Sequence, residues 1–216
     1  MQIINELKLV NITHRGCAVH EIEQLNLFER LICQIDSQAP TMVELGSCDA
    51  YYSIIFNKFF KDRDVTNYCL EINEEFFEIG LQNCNNNNCK NVVSIKAGIG
   101  DINESTPHVV YNKANVNQIT FSQLVNEYQI NYIDILHMDI QGTEISVLED
   151  IVNNKLYKNI NYMFVSTHHQ DNKFPATHHV CKKIIEQCNV EYFYDDEYSG
   201  GIGDGLLVFK FLPNEK

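Results

Sequence analysis

The chain's 216 residues suit one domain with a full core, and 44% hydrophobic against 21% charged residues is the ordinary balance of a globular protein. Sixteen Lys+Arg against 29 Asp+Glu leave a formal charge of −13, which repels phosphate backbones and anionic membranes and so predicts no nucleic-acid and no membrane partner. No apolar run approaches the roughly 20 residues of a bilayer span. The start Met1-Gln2-Ile3-Ile4-Asn5-Glu6 lacks the basic flank and apolar block of a secretion signal, so a cytoplasmic location is expected.

In chain order, residues 18–33 carry Val19, Ile22, Leu25, Phe28, Leu31 and Ile32 at helical spacing. Residues 1–40 are expected to form a helical segment covering the active site, and residues 41–216 the main domain. Pro40 breaks the chain before the apolar run Met42–Leu45, a first strand, and Gly46 turns it into a helix over 51–60 with Tyr52, Ile55, Phe56 and Phe59 on one face. A strand that turns into a helix at a glycine leaves backbone N–H groups free for a ligand. Asn67–Ile72 reads as a second strand, and Asn73-Glu74-Glu75 starts the next helix with Asn as N-cap and acid in the first turn. The apolar face of that helix is Phe76, Phe77, Gly80, Leu81 and Cys84, and the polar tract 84–91 is a turn.

Val92–Ala97 is the third strand, residues 98–115 are a loop or irregular hairpin, and Phe121, Leu124, Val125 and Tyr128 form a helical stripe. Ile133–Ile140 is the fourth strand, followed by a helix with Ile145, Leu148, Ile151, Val152 and Leu156, and Tyr162–Ser166 is the fifth strand. A helix over 178–187 precedes two last strands, Glu191–Tyr194 and Gly205–Phe211. Alternation of strand and helix predicts a doubly wound α/β sheet, parallel in the middle, and the short last connection predicts an antiparallel hairpin at one edge. The eight cysteines lie mostly on apolar periodic positions without a C-x-x-C pair, which favours reduced, buried thiols over zinc or disulfides.

In an open α/β sheet the ligand lies beyond the carboxyl ends of the strands. Those ends name Glu44/Gly46, Glu71, Ala97/Gly98, Asp139 and Ser166-Thr167-His168. Glu71 follows Gly46 by 25 residues, near the spacing at which a carboxylate receives ribose hydroxyls; capping the Asn73 helix is its alternative use. A P-loop is excluded because no Gly-Lys-Ser/Thr follows the first strand, and Gly-x-Gly-x-x-Gly is absent too.

Glu44-Leu45-Gly46-Ser47-x-x-Ala50-Tyr51-Tyr52-Ser53, then Leu70-Glu71, then Ile133-Asp134-Ile135-Leu136-His137-Met138-Asp139-Ile140-Gln141-Gly142-Thr143-Glu144 resemble the FkbM-type S-adenosylmethionine-dependent methyltransferases. Phe164–His168 and Asp204–Val208 are similar to that family's closing motifs, and the likeness spans about residues 41–210. One departure is Ala50, where many members carry glycine. The resemblance implies a class I methyltransferase fold, Rossmann-like, with seven strands and the last antiparallel. It implies S-adenosylmethionine as cofactor and S-adenosylhomocysteine as product. It also implies that Glu44, Gly46 and Ser47 line the methionine end of the cofactor, that Tyr51 is a further cofactor-binding residue, that Glu71 holds the ribose, and that Ala97 and Gly98 lie beside the adenine. Asp139 would sit between cofactor and acceptor.

Methylating an alcohol requires an in-line approach and removal of the hydroxyl proton. His168 is the first candidate base, because histidine titrates near neutrality, and Asp139 the second, as base or as the group that orients the acceptor. Glu144 is assigned to the start of the following helix. His168, His169, His178 and His179, with Asp171, offer an alternative in which paired histidines hold a divalent metal; a polar lid is the other reading of that segment. Tyr51, Tyr132 and Tyr198 are candidates to touch an acceptor. The expected activity is O-methylation of a hydroxyl on a sugar or small metabolite, with a small-molecule or glycan acceptor as partner and a homodimer as an open option. A non-catalytic cofactor-binding or regulatory domain is the remaining alternative.

Overall fold

The structure is a computed structural model that describes residues 6–7, 9, 12, 22–101, 117–140, 142–168, 177–200 and 204–213. The chain forms two compact units, Met1–Lys96 and Ala97–Lys216.

The first unit contains α1 (Ile22–Ile32), β1 (Thr41–Leu45), α2 (Tyr51–Phe59), β2 (Thr66–Glu71), α3 (Glu74–Asn86) and β3 (Val92–Lys96). β2 lies between β1 and β3, parallel to both, with Leu45 opposite Leu70 and Glu71 opposite Lys96. β1 is buried along four of its five residues, which is why it reads as an unbroken apolar run rather than an alternation. α1 buries Leu25, Phe28, Leu31 and Ile32, and the Phe28 ring meets Tyr52 of α2 edge-on at 5.0 Å. The predicted cap of α3 forms: the Asn73 side chain accepts from the backbone N–H groups of Glu75 and Phe76. α3 takes in the first three residues of the tract read as a turn. It ends where Asn88 takes a left-handed conformation (φ 53°) and where the Cys89 N–H donates to the Cys84 carbonyl.

Asparagines do much of the internal tying of this unit. Asn57 donates to Asn67 and to the Lys90 carbonyl and accepts from the Lys90 N–H, which locks α2 to β2 and to the entry of β3. Buried amides need such partners to be tolerated, and here they supply specificity at low cost.

The second unit opens with a short parallel pair, β4 (Gly98–Ile99) and β5 (Gln118–Ile119), with β4 at the start of the stretch predicted as a loop or irregular hairpin and β5 just after it. It continues with α4 (Phe121–Glu127), β6 (Ile133–Met138), α5 (Glu144–Asn153), a 3-10 turn at Leu156–Asn159, β7 (Ile160–Thr167), α6 (Thr177–Ile185), β8 (Val190–Gly200) and β9 (Asp204–Phe211). Thr120 and Gln123 form a capping box at α4. α5 buries Glu144, Val147, Leu148 and Ile151, so Leu148 and Ile151 of the predicted stripe face inward while Ile145 and Val152 are half-buried, and Lys155 breaks the helix before Leu156. β6 and β7 are parallel, β9 is antiparallel to β7, and β8 returns antiparallel to β9. β9 begins one residue earlier than predicted, whereas β8 is much longer than predicted because it continues through residues 195–200 past two register shifts, and polarity hid that extension.

The seven longer strands, mostly parallel with an antiparallel one at the end of the chain, give the predicted Rossmann-like α/β fold. Among the described residues no helix is long and apolar enough to cross a membrane.

Candidate active site

In the first unit the site residues gather on the turn from β1 to α2. Gly46, Cys48 and Ala50 all take positive φ, at 75°, 46° and 61°, so the chain doubles back sharply in five residues. The N–H groups expected to be free are already used. Those of Gly46 and Ser47 both donate to the Leu70 carbonyl at 2.9 and 3.0 Å, and that of Cys48 donates to Glu71 Oε2 at 2.9 Å. The reason is burial: a main-chain donor cut off from water must find a partner, and the end of β2 is the nearest.

Two carboxylates organise this turn. Glu71 accepts the Cys48 N–H on one oxygen and the Asn73 N–H on the other, at 2.7 Å, which joins the turn to the start of α3. Glu71 therefore does bond the entry of that helix, through the backbone of the cap residue. Glu44 is buried in β1, and its Oε2 accepts the Ser53 N–H at 3.1 Å. Ala50 stands at the N-cap of α2 with no side chain able to cap, so the strand supplies the negative group that the helix start favours. α3 presses on the same turn. A Cβ on Gly80 would lie 3.1 Å from the Cys48 carbonyl oxygen, and the fully buried Asn83 amide donates to the Asp49 carbonyl at 3.0 Å. Tyr51 opens α2, partly buried; burial and then the Asp49 charge raise its phenol pKa above the ordinary value.

Ala50 in the left-handed region explains why glycine suits this position. That conformation costs a residue with a Cβ about 1–2 kcal/mol, partly offset by the larger unfolded-state entropy of glycine. Ala50→Gly is therefore expected to stabilise the chain by about 0.5–1 kcal/mol and to raise Tm by about 2 °C, read by thermal melting. An unchanged or lowered Tm would contradict the strain argument.

The donor set discriminates between ligands. Glu44, Asp49 and Glu71 are 2%, 1% and 6% exposed, and residues 44–53 contain no basic side chain. A phosphate-bearing nucleotide would meet three carboxylates at close quarters. A ligand with ribose hydroxyls, an ammonium and a sulfonium meets acceptors and compensating charge. The turn fits S-adenosylmethionine in charge and in hydrogen-bonding sense.

In the second unit Ala97 and Gly98 are buried at the start of β4, where the Gly98 N–H donates to the Asn117 carbonyl at 2.8 Å. The other cluster joins the ends of β6 and β7 with the start of α5. His168, just past β7, is buried between two carboxylates: its Nδ1 lies 2.6 Å from Glu144 Oε1 and its Nε2 3.2 Å from Asp139 Oδ1. Asp139 is the exposed member, with half of its side chain open, whereas the Glu144 side chain is fully buried. Burial alone would lower the His168 pKa, but hydrogen bonds from its ring to Asp139 and Glu144, with their charges, outweigh that and push it up to about 11. Both ring nitrogens then donate at neutral pH. This differs from the expectation of a histidine titrating near neutrality, and the reason is the pair of carboxylates, Asp139 first and then Glu144, which spacing assigned to the helix start.

The other histidines separate. His178 is buried and bonded on both nitrogens, to Thr167 Oγ1 at 2.9 Å and to Asp195 Oδ1 at 3.0 Å, while His179 points outward near Glu197. His178 thus has no nitrogen left for a metal in this arrangement, and His169 and Asp171 lie outside the described residues. Among the described residues no group of three His, Cys, Asp or Glu side chains is placed to hold a metal ion. His137 is buried in β6 against Phe164 at 6.0 Å between rings. Tyr132 is half exposed, and the Tyr198 side chain and most of the 98–115 loop fall outside the described residues. Cys69, Cys84 and Cys181 are buried free thiols, Cys48, Cys89 and Cys188 are partly buried, and Cys33 is exposed.

A model of the methyltransferase FkbM domain matches residues 8–192. No curated protein matches the chain in sequence. Solved structures share the fold at low identity. A precorrin-6y C5,15-methyltransferase from Geobacter metallireducens is 10% identical, with 94% of each chain covered and a TM-score of 0.56. An O-methyltransferase from Bacillus cereus, in complex with S-adenosylhomocysteine, is 12% identical, with 98% of this chain and 89% of that one covered and a TM-score of 0.56. An rRNA methylase from Streptococcus thermophilus is 10% identical, with 92% of this chain and all of that one covered and a TM-score of 0.57. The last corrects the expectation that nucleic acid is excluded: this fold also serves an enzyme named for an RNA substrate. Net charge is a sum over the whole surface, whereas an acceptor is selected by the few groups around one site.

Proposed function

The chain belongs to the methyltransferase FkbM family and is an S-adenosylmethionine-dependent methyltransferase; on that premise we propose that it methylates a hydroxyl oxygen on a sugar or small metabolite, with Asp139 taking the hydroxyl proton. The observation that carries the reading is the exposed Asp139 carboxylate backed by buried His168. When bound, S-adenosylmethionine supplies an electrophilic methyl group, and the residues have to place an oxygen in line with it and remove that oxygen's proton. Glu71 and the turn around Gly46 are assigned to the cofactor, because their acceptors suit ribose hydroxyls and positive charge. Ala97 and Gly98 are assigned to its adenine end, as small buried residues at the start of β4.

His168, the first candidate base, is already protonated near pH 7, so it has no lone pair to offer. The base role passes to Asp139, and His168 becomes the cation that orients it. A ribose hydroxyl of RNA presents the same chemistry as any other sugar hydroxyl, so the test includes it. The enzyme is incubated with methyl-deuterated cofactor and, separately, monosaccharides, nucleosides, a catechol, primary amines and total RNA, and products are read by mass spectrometry. Label on a hydroxyl oxygen of one of these classes is the expected result. Label on amine nitrogen alone would overturn the O-methyl assignment.

A further inference from the structure

We propose that Glu144 is the positioning residue of this site, holding His168 as a fixed cation behind Asp139; the proposal rests on the reading of Asp139 as base. The geometry goes beyond what a helix start needs. Thr143, at the N-cap of α5, makes no side-chain cap, and one Glu144 oxygen, Oε2, folds back to accept the Gly142 N–H at 3.0 Å. That bond completes the helix entry. The second oxygen, Oε1, is spent on His168 at 2.6 Å, the shorter of the two. A fully buried carboxylate is costly unless it is paired and hydrogen-bonded, and here both conditions are met only with the imidazole in place.

The ring is fixed from its backbone side as well. The Thr177 hydroxyl donates to the His168 carbonyl at 2.9 Å, and the preceding residue, Thr167, bonds His178, which is held in turn by Asp195. The end of β7 and the start of α6 therefore clasp each other through two crossed Thr–His bonds, Thr167 with His178 and Thr177 with His168. The groups facing the ring are Asp139 beyond β6 and Glu144 on α5, with the Cys181 thiol of α6 within electrostatic reach of Glu144. Burial, then the Glu144 charge, keep that thiol neutral, so two negative groups enclose one positive one.

The proton balance follows. As the acceptor oxygen gains its bond to the methyl carbon and the sulfur–methyl bond breaks, the hydroxyl proton moves to the Asp139 carboxylate. His168 keeps its proton throughout, and the three-residue cluster passes from one net negative charge to none. Glu144 never touches the reacting atoms. It acts by fixing the ring's plane and charge, so that the Nε2–H stays aimed at Asp139.

The experiment is nuclear magnetic resonance titration of the full chain labelled in its histidine rings, with His168 assigned by its loss in His168→Gln. In the wild type the His168 ring is expected to remain doubly protonated from pH 6 through pH 9. In Glu144→Gln its titration is expected at least about two pH units lower, because the nearer opposite charge is gone. The alkaline limb of kcat should move down with it, while S-adenosylhomocysteine affinity stays within about twofold. Glu144→Asp, which keeps the charge, should leave the ring protonated at pH 8. A wild-type ring that is neutral at pH 8, or a titration unchanged by Glu144→Gln, overturns the proposal. If Glu144→Gln fails to fold, the wild-type titration alone still decides. Full turnover in Asp139→Asn would remove the base assignment instead and leave the Glu144–His168 titration standing, so the two failures are distinguishable.

Discussion

Glu71→Ala is expected to weaken S-adenosylhomocysteine binding by about 10–100-fold, the range that losing charge-assisted hydrogen bonds worth roughly 1.5–3 kcal/mol would produce. The loss has two sources. The carboxylate is the acceptor assigned to the ribose hydroxyls, and it also ties the Cys48 and Asn73 N–H groups together across the mouth of the turn. Alanine leaves both donors without that acceptor, so the turn should loosen as well. Glu71→Gln separates the effects: it keeps the shape and one carbonyl acceptor but drops the charge. Its binding is expected between wild type and alanine, with Tm near wild type. Calorimetric titration measures the affinities and thermal melting the fold. Alanine binding as tightly as wild type would mean that Glu71 serves the helix entry alone.

Asp139→Asn is expected to cut turnover by about 10²–10⁴-fold, the usual contribution of general acid–base catalysis, while leaving cofactor affinity within about twofold. The amide keeps the shape beside His168 but cannot take the hydroxyl proton. Initial rates with whichever hydroxyl acceptor takes up label give the first number, and calorimetry gives the second. The pH dependence has a definite sign. Asp139 must be ionised to act and His168 protonated to orient it, so activity should rise as Asp139 ionises on the acid side. It should hold on the alkaline side until His168 loses its proton, near its pKa of about 11 or wherever the fold gives way first. A rate that falls as pH drops through the neutral range, tracking protonation of a histidine, would contradict this and restore His168 as the base.

Much of the fold was legible because hydrophobic period and capping chemistry are local. Met42–Leu45 reads as a buried strand from four residues, and Asn73 announces its helix because a cap acts within three residues of itself. The boundaries that slipped did so for non-local reasons. β8 runs through Asp195, Asp196 and Glu197 because β9 pairs with it, and no period in that stretch reveals the partner. The site was legible as an inventory of strand ends and not as a set of bonds. Glu44 is named by its strand end alone, and its bond to the start of a helix whose own N-cap, Ala50, offers no side-chain cap was not legible there.

Glu144 shows the same limit most plainly. It stands 24 residues before His168, a separation at which sequence carries no contact information, and its second hydrogen bond joins that of Asp139 in raising the pKa of that histidine. Asn57, Asn83 and Asn87 belong to no motif, and their part as buried ties of the first unit is visible only once their partners are placed. The −13 charge misled in the other direction, since a property of the whole surface was applied to a single site.

Calorimetric titration of S-adenosylhomocysteine into wild type, Asp139→Asn and Glu71→Ala, side by side, tests the division of labour most directly. Wild type and Asp139→Asn are expected to bind alike, and Glu71→Ala at least about tenfold more weakly. Equal affinity in wild type and Glu71→Ala, or a loss in Asp139→Asn as large as that in Glu71→Ala, would contradict the assignment of Glu71 to the cofactor and Asp139 to the acceptor proton.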